Sequence, residues 1–122
     1  MKIAVTSVGT DMEAQVDPRF GRAACFVVVE TETLEFEAVE NVNIAAAGGA
    51  GINSAKAVAD TGAQAVLTGN CGPNAERTLR AANIKLYTGV AGTVAEAVEQ
   101  FKAGALNEAG GPNVDSHSGM GA

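Results

Sequence analysis

The feature that most constrains the fold is an alternation of helices and short apolar strands in the second half of the chain. Apolar residues recur at helical spacing after residue 50, after Pro73 and after Thr93. Two short apolar runs, at 65–68 and 84–87, separate these helices and predict strands. Parallel strands joined by right-handed helical crossovers are the usual outcome of such an alternation. The second half therefore predicts consecutive βαβ units.

The first half of the chain predicts three strands without helices. Residues 2–6 and 25–30 are short apolar runs, and the second of them is rich in β-branched residues. Residues 34–43 begin by alternating apolar with acidic side chains, as expected for a half-exposed strand. With the first strand central, the whole order β-β-β-α-β-α-β-α predicts an α/β fold. Its mixed five-stranded sheet has the order 3-2-1-4-5, with strand 2 antiparallel and helices flanking the sheet.

Length, composition and charge fit one small domain. The chain has 122 residues, 47% of them apolar, so we expect an α/β domain over residues 1–106. Residues 107–122 carry too little apolar surface to pack and predict a flexible C-terminal tail. The net charge of -6 argues against nucleic-acid or anionic-membrane binding. No apolar run suits a signal peptide or membrane span, and we expect a cytoplasmic monomer.

A glycine-rich turn between the fourth strand and the second helix is the strongest candidate site. Its glycines permit close backbone approach, and the helix that follows offers N–H groups and a favourable dipole to an anion. The same position would lower the pKa of the Cys71 thiol and make it a candidate soft-metal ligand or nucleophile. An ordinary tight turn around a buried cysteine is the alternative. The candidate contact residues are Gly69, Asn70, Gly72, Pro73, Asn74 and Ala75.

A long loop after the first strand carries a second candidate motif, Asp17-Pro18-Arg19-Phe20-Gly21-Arg22. Loops of this length in a compact domain are usually functional or mobile. The planar donor forks of Arg19 and Arg22 suit oxyanions, so we expect them to close over an anion, with Phe20 and Gly21 beside them. The alternative is a solvated loop in which Asp17 pairs with one arginine.

A third glycine-rich segment opens the first helix. Gly48, Gly49 and Gly51 precede or begin the helical pattern, and such a helix start presents N–H groups. The segment lacks both the Gly-Lys-Ser/Thr ending of a phosphate loop and the third glycine of a dinucleotide fingerprint. Strands 1 and 4 flank the topological switch point of the predicted sheet, where ligands bind in open α/β sheets. We therefore expect the three glycine-bearing loops to form one pocket there.

Metal-ligand and catalytic sets are sparse. Cys25, Cys71 and His117 do not have the spacing of a closed zinc site. Burial in the sheet is the plainer interpretation of Cys25, and solvation in the tail that of His117, although either could reach the pocket as a weak metal-ligand candidate. No histidine is fixed near a serine or cysteine as a general base. We therefore do not expect an enzyme.

Together, these motifs resemble the dinitrogenase iron-molybdenum cofactor-binding domain family, which includes nitrogenase cofactor carriers and orange proteins of sulfate-reducing bacteria. The resemblance covers residues 1–105 and rests on segments 17–22, 48–51 and 69–75 and on a tail that contains glycine and methionine. It implies a ribonuclease H-like fold. It also implies non-covalent binding of a preassembled cluster, either iron-molybdenum-sulfur or molybdenum-copper-sulfide.

The residues and the resemblance favour a carrier or storage protein for an anionic metal-sulfur cluster. Arg19 and Arg22 would act as electrostatic clamps, residues 69–75 as an N–H cradle, and Cys71 as a candidate ligand. The partners expected are the cluster and a protein that donates or accepts it. Two alternatives are a cofactor-free interaction or regulatory module that uses the same loops, and a thiol-based redox protein that uses Cys71.

Overall fold

The computed structural model of the chain describes residues 1–42 and 50–109. Within these residues, five strands and three helices follow one another in the predicted order. They are β1 (Lys2–Ser7), β2 (Cys25–Glu30), β3 (Phe36–Glu40), α1 (Ala50–Asp60), β4 (Ala65–Leu67), α2 (Pro73–Ala81), β5 (Lys85–Tyr87) and α3 (Val94–Lys102).

The strands form one mixed sheet in the order β3-β2-β1-β4-β5, which confirms the predicted architecture. β2 runs antiparallel to both β1 and β3, whereas β4 runs parallel to β1 and to β5. The carboxyl ends of β1 and β4 therefore lie side by side, with Val5 opposite Leu67. We call this edge of the sheet the loop end, because the loops that follow β1 and β4 leave from it.

Helices cover both faces of the central strands, so the core has two halves. On one face Phe26 of β2 packs in a cluster with Val58 of α1 and Leu79 of α2. On the other face Val5 of β1 packs with Val98 of α3. Successive side chains of a strand point to opposite faces, and β1 is apolar throughout its middle because both faces are covered.

Strand β3 begins later than the strand predicted over residues 34–43. β3 begins at Phe36, and Leu34 lies before it in a turn with a φ of 64°. The turn is tight because the Leu34 amide donates to the carbonyl of Glu30 and the Glu30 amide donates to the carbonyl of Glu35. Most of β3 is exposed on both faces, because it is the terminal strand of the sheet and only Val39 packs against the core.

The chain keeps contact with β5 beyond residue 106, where the predicted tail begins. Glu108 forms an antiparallel bridge with Tyr87, and the Ala109 amide donates to the carbonyl of Leu86 at 2.7 Å. Tyr87 also meets the ring of Phe101 edge-on, with centroids 5.3 Å apart. The rest of the predicted tail, residues 110–122, lies outside the described residues.

None of the helices in residues 1–42 and 50–109 combines the length and apolar character that a membrane-spanning helix requires.

Candidate functional site

The loop after β1 and the turn after β4 are joined backbone to backbone. Arg19 and Asn70 form a parallel bridge across the loop end of the sheet. The Asn70 amide donates to the carbonyl of Pro18 at 2.7 Å, and the Phe20 amide donates to the carbonyl of Asn70 at 3.1 Å. The structure therefore brings the arginine motif and the glycine turn together, as the topology of the sheet suggested.

Three glycines of the candidate site allow this close approach. A Cβ on Gly69 would lie 2.7 Å from the Cα of Pro18, and a Cβ on Gly21 would lie 3.0 Å from the Cα of Gly51. A Cβ on Gly51 would in turn lie 3.2 Å from the Cβ of Ala75. Such distances exclude or strain any side chain. These glycines allow the loops and helices around the site to lie in close contact.

A buried amide ties the long loop to the rest of the domain. Asn41, just after β3, donates from Nδ2 to the carbonyl of Ala23 at 2.8 Å and to that of Gly21 at 3.2 Å. Ser54 of α1 donates to Oδ1 of Asn41 at 3.3 Å. Sequence reasoning missed both residues. The signal was present, because Ser54 lies on the inner stripe of the helix next to Ala55.

A buried carboxylate orients Arg19. Asp17 is only 2% exposed, and its Oδ1 accepts hydrogen bonds from the Arg19 amide at 3.0 Å and from Arg19 Nε at 3.3 Å. The hydroxyl of Thr6 donates to the carbonyl of Asp17 at 2.6 Å. The side chain of Arg19 nevertheless stays 62% exposed, and Arg22 is exposed as well. The pairing with Asp17 considered as an alternative is present, and it holds Arg19 in place without burying it.

The first turn of α2 begins without a side-chain cap. Gly72 is the N-cap residue, with a φ of -80° and a ψ of 173°, and Pro73 occupies the first helical position as predicted. Leaving aside Gly72 itself and its chain neighbours, no atom of residues 1–42 and 50–109 lies within 4 Å of the place where a Cβ of Gly72 would be. The Glu76 amide donates to the carbonyl of Gly72, but among the described residues the amides of Asn74 and Ala75 have no acceptor. At the N-terminus of α2 the amide of the exposed Asn74 is therefore available as a donor beside the open side of Gly72, whereas Ala75 is buried against Gly51.

The N-terminus of α3 is fully satisfied by comparison. Thr93 and Glu96 form a reciprocal capping box, in which each side chain accepts from the backbone amide of the other residue. The long loop supplies the remaining acceptors, because the Val94 amide donates to the carbonyl of Ala14 and the Ala95 amide to that of Met12, both at 2.9 Å. The two helices thus differ in what their first amides meet.

The prediction of a lowered pKa for Cys71 is wrong. The side chain is 1% exposed and packs in the core between the sheet and helices α1 and α2. Burial, with a smaller contribution from the nearby Glu76 carboxylate, raises the pKa of the Cys71 thiol to about 12. The sequence correctly predicted that Cys71 directly precedes the N-terminus of α2. It could not show that the Cys71 side chain points into the core.

The remaining candidates divide into buried residues and residues outside the described part of the chain. Phe20 is 2% exposed and packs against Phe26 with ring centroids 5.8 Å apart, so its side chain anchors the loop instead of facing a ligand. Cys25 is buried too, and burial raises its pKa, with help from Glu40. Gly48, Gly49 and His117 lie outside the described residues.

The site therefore offers hydrogen-bond donors and cations, with few metal ligands. In residues 1–42 and 50–109, no group of three or more His, Cys, Asp or Glu residues could hold a metal ion. Glu76, the acidic residue in the first turn of α2, pairs with Arg80 one turn later. An anion that needs donors but no protein ligands suits this arrangement.

Comparison with known proteins adds a family and several relatives. The model of the family described as dinitrogenase iron-molybdenum cofactor matches residues 1–104. The apo form of the orange protein from Desulfovibrio gigas is 46% identical, with a TM-score of 0.91 over 93% of this chain and 96% of that chain.

Two further relatives are more distant. A NifB-like protein from Thermotoga, of the DUF35 family, is 39% identical, with a TM-score of 0.77 over 88% of this chain and 91% of that chain. An uncharacterized protein of Methanocaldococcus jannaschii is 30% identical over 97 residues, which are 77% of this chain and 82% of that protein.

Proposed function

Since this chain belongs to the dinitrogenase iron-molybdenum cofactor family, we propose that it binds and carries a preassembled anionic metal-sulfur cluster at the N-terminus of α2. The observation that carries this proposal is the open first turn of that helix. The amides of Asn74 and Ala75 meet no acceptor among the described residues, and Gly72 faces open space. The exposed guanidinium of Arg19 belongs to the loop that is bonded to the same turn.

The chemistry of these donors fits a cluster that brings its own sulfides. Such a cluster has its metal coordination largely filled, so the protein needs to supply N–H donors and positive charge. Arg19 and Arg22 would supply the charge, and the amides of Asn74 and Ala75 the donors. Cys71 was expected as a candidate ligand, but its side chain is 1% exposed and packs in the core, and burial raises the pKa of its thiol. We therefore propose that the cluster is held non-covalently, without Cys71.

Of the two cluster classes that the family resemblance implies, molybdenum-copper-sulfide is the first cargo to test. An iron-molybdenum-sulfur cluster is the second. We further propose that the protein is a monomeric carrier in the cytoplasm that receives or delivers its cargo through a donor or acceptor protein.

The burial of both cysteines weakens the redox alternative. Cys25 and Cys71 are 8% and 1% exposed, and both have raised pKa values, whereas reactive thiols are exposed and have lowered ones. We therefore propose carriage and not catalysis. The interaction module without a cofactor remains the rival, and metal analysis of the protein purified from its native host separates it from a carrier.

The direct test is reconstitution. Apo protein is mixed with tetrathiomolybdate and a copper salt, passed through a gel-filtration column, and assayed for colour and metals in the protein peak. We expect a coloured species with molybdenum and copper in fixed ratio to the protein. Replacing Arg19 and Arg22 together by alanine should weaken retention by about tenfold, because each charge-assisted contact contributes on the order of 0.7 kcal/mol at an exposed site.

Lys102→Ala is the matched control, since it removes an exposed positive charge from the last turn of α3 and should retain cargo like the unaltered protein. Unchanged retention in the double arginine variant would remove the arginines from the site. Absence of metal in the protein peak of the unaltered chain would contradict the carrier function.

A further inference from the structure

A groove of about 370 Å³ lies at the end of the sheet opposite the loop end. β1 begins there, β2 ends there and β3 begins there, while Thr61 closes one side just after α1. We call it the distal groove, and its wall includes Lys2, Val28, Glu30, Glu35, Phe36 and Glu37. The length of the sheet separates it from the N-terminus of α2.

Apolar side chains are exposed at this same end of the sheet. Met1, Leu34 and Phe36 are 40%, 41% and 45% exposed. Leu34 and Phe36 belong to the hairpin beside the distal groove, and Met1 is bonded to it, because the Thr31 amide donates to the Met1 carbonyl. Neighbouring exposed apolar side chains rimmed by polar ones are typical of a surface that binds another protein.

The two edges of the sheet differ in how they are covered. On the β5 edge, Glu108 and Ala109 are bonded to Tyr87 and Leu86. β3 is the other terminal strand, and among residues 1–42 and 50–109 no strand pairs with its outer side. An uncovered edge offers backbone donors and acceptors to an extended segment of another chain.

Charge indicates what kind of segment fits. Glu35 and Glu37 are exposed at the start of β3, and Glu30 lies at the end of β2. The N-terminal ammonium, 2.6 Å from Oε1 of Glu30, and the Glu32 amide lower the pKa of the Glu30 carboxyl, so this carboxylate is ionised at neutral pH. Lys2 and this ammonium together oppose three carboxylates, so the described residues at this end of the sheet keep a net negative charge. Two copies of this edge would repel each other.

We propose that the distal groove and the β3 edge bind an extended, basic segment of a partner protein. The segment adds to β3 as a further strand, with lysine or arginine side chains against Glu35 and Glu37 and an apolar side chain against Phe36. This interaction goes beyond carriage of a cluster, because the partner binds at one end of the sheet while the other end remains accessible.

An NMR titration tests the proposal. Uniformly ¹⁵N-labelled protein is titrated with a terminally blocked seven-residue peptide of alternating lysine and valine, and separately with a peptide of alternating glutamate and valine. We expect saturable shifts of the amides of Thr33, Phe36 and Glu37 with the basic peptide alone. Glu37→Lys should weaken this binding by about fivefold, since charge reversal replaces an attraction with a repulsion at an exposed site.

Glu99→Lys on α3 is the matched control, because it makes the same change of charge at an exposed position outside the groove. The proposal would be overturned if both variants weakened binding equally or if the acidic peptide bound. It would also be overturned if amide shifts appeared near every exposed carboxylate, or if no amide shifted at all. Concentration-dependent shifts without peptide would also overturn it, by identifying a second copy as the occupant. Cluster retention should be unchanged in Glu37→Lys, so failure of the reconstitution in the unaltered chain concerns the carrier function alone.

Discussion

The N-termini of α2 and α3 differ in how their first backbone amides find hydrogen-bond acceptors. At α3 the capping box of Thr93 and Glu96 and the carbonyls of Met12 and Ala14 satisfy the first amides. At α2 the N-cap is Gly72, which has no side chain to offer. Both helices begin with amides that need acceptors, so a side-chain cap would be expected at each N-terminus.

The difference shows where the protein gives up local stability. Relative to glycine, a side-chain cap contributes a few tenths of a kcal/mol to a helix, and α2 does without it. The long loop after β1 provides acceptors to the first amides of α3, whereas near α2 it is bonded to the preceding turn and places Arg19 beside that turn. Water satisfies an exposed amide such as that of Asn74 in the absence of a ligand, and an anionic cargo could replace that water.

The largest expected loss of stability comes from adding a side chain at Gly69, where the turn after β4 lies against the loop after β1. Gly69→Ala would force a Cβ to within 2.7 Å of the Cα of Pro18, which is backbone and can move only with the loop. We expect the free energy of unfolding to fall by about 3 kcal/mol, measured by urea denaturation. Gly72→Ala, with open space around the Cβ, should cost under about 1 kcal/mol. Equal losses would show that the turn before α2 is not shaped by contact with Pro18.

The second prediction concerns the alkaline limit of stability. The pKa of Cys71 is raised from 9.0 to about 12 on folding, so its contribution is complete below pH 9 and is lost as the pH rises toward 12. Between pH 8 and pH 10 we expect the unaltered protein to lose about 1 kcal/mol more stability than Cys71→Ala. A gain in stability over this interval would instead indicate a thiolate facing the helix N-terminus, as the sequence suggested.

The smallest effects come from exchanging the caps themselves. Thr93→Ala should lower the free energy of unfolding by about 1 kcal/mol, because it removes the acceptor of the Glu96 amide. Gly72→Ser should raise it by a few tenths of a kcal/mol, because its hydroxyl can accept from the first turn of α2. The same serine should reduce cluster retention, since it competes for those amides. Better stability together with undiminished retention would argue against cargo at this helix.

The fold could be predicted because its signals are local and repeat. Apolar runs and helical spacing predicted the strands and helices, and the handedness of crossovers then left one strand order. The start of β3 was missed, since the alternation of Leu34, Glu35 and Phe36 satisfies a strand pattern while the chain is still turning. A left-handed conformation at leucine leaves no signature in sequence.

The candidate site was predictable in position but not in detail. Topology placed the arginine loop beside the glycine turn, and the bridge between Arg19 and Asn70 follows from it. Which way a side chain points within a turn depends on packing from distant elements. Cys71 and Phe20 therefore could not be assigned to the core, nor Asn41 to a structural bond, before the contacts were known.

The position of Tyr87 has a practical consequence. The chain contains one tyrosine and no tryptophan, and the Tyr87 carbonyl accepts from Thr68, next to the glycine turn. The tyrosine fluorescence of the protein therefore comes from one residue at the end of β5, which lies beside the strand that leads into α2. A coloured cargo bound there would quench that emission by energy transfer, whereas a peptide at the far hairpin would leave it unchanged, so the molecule carries its own optical reporter of loading.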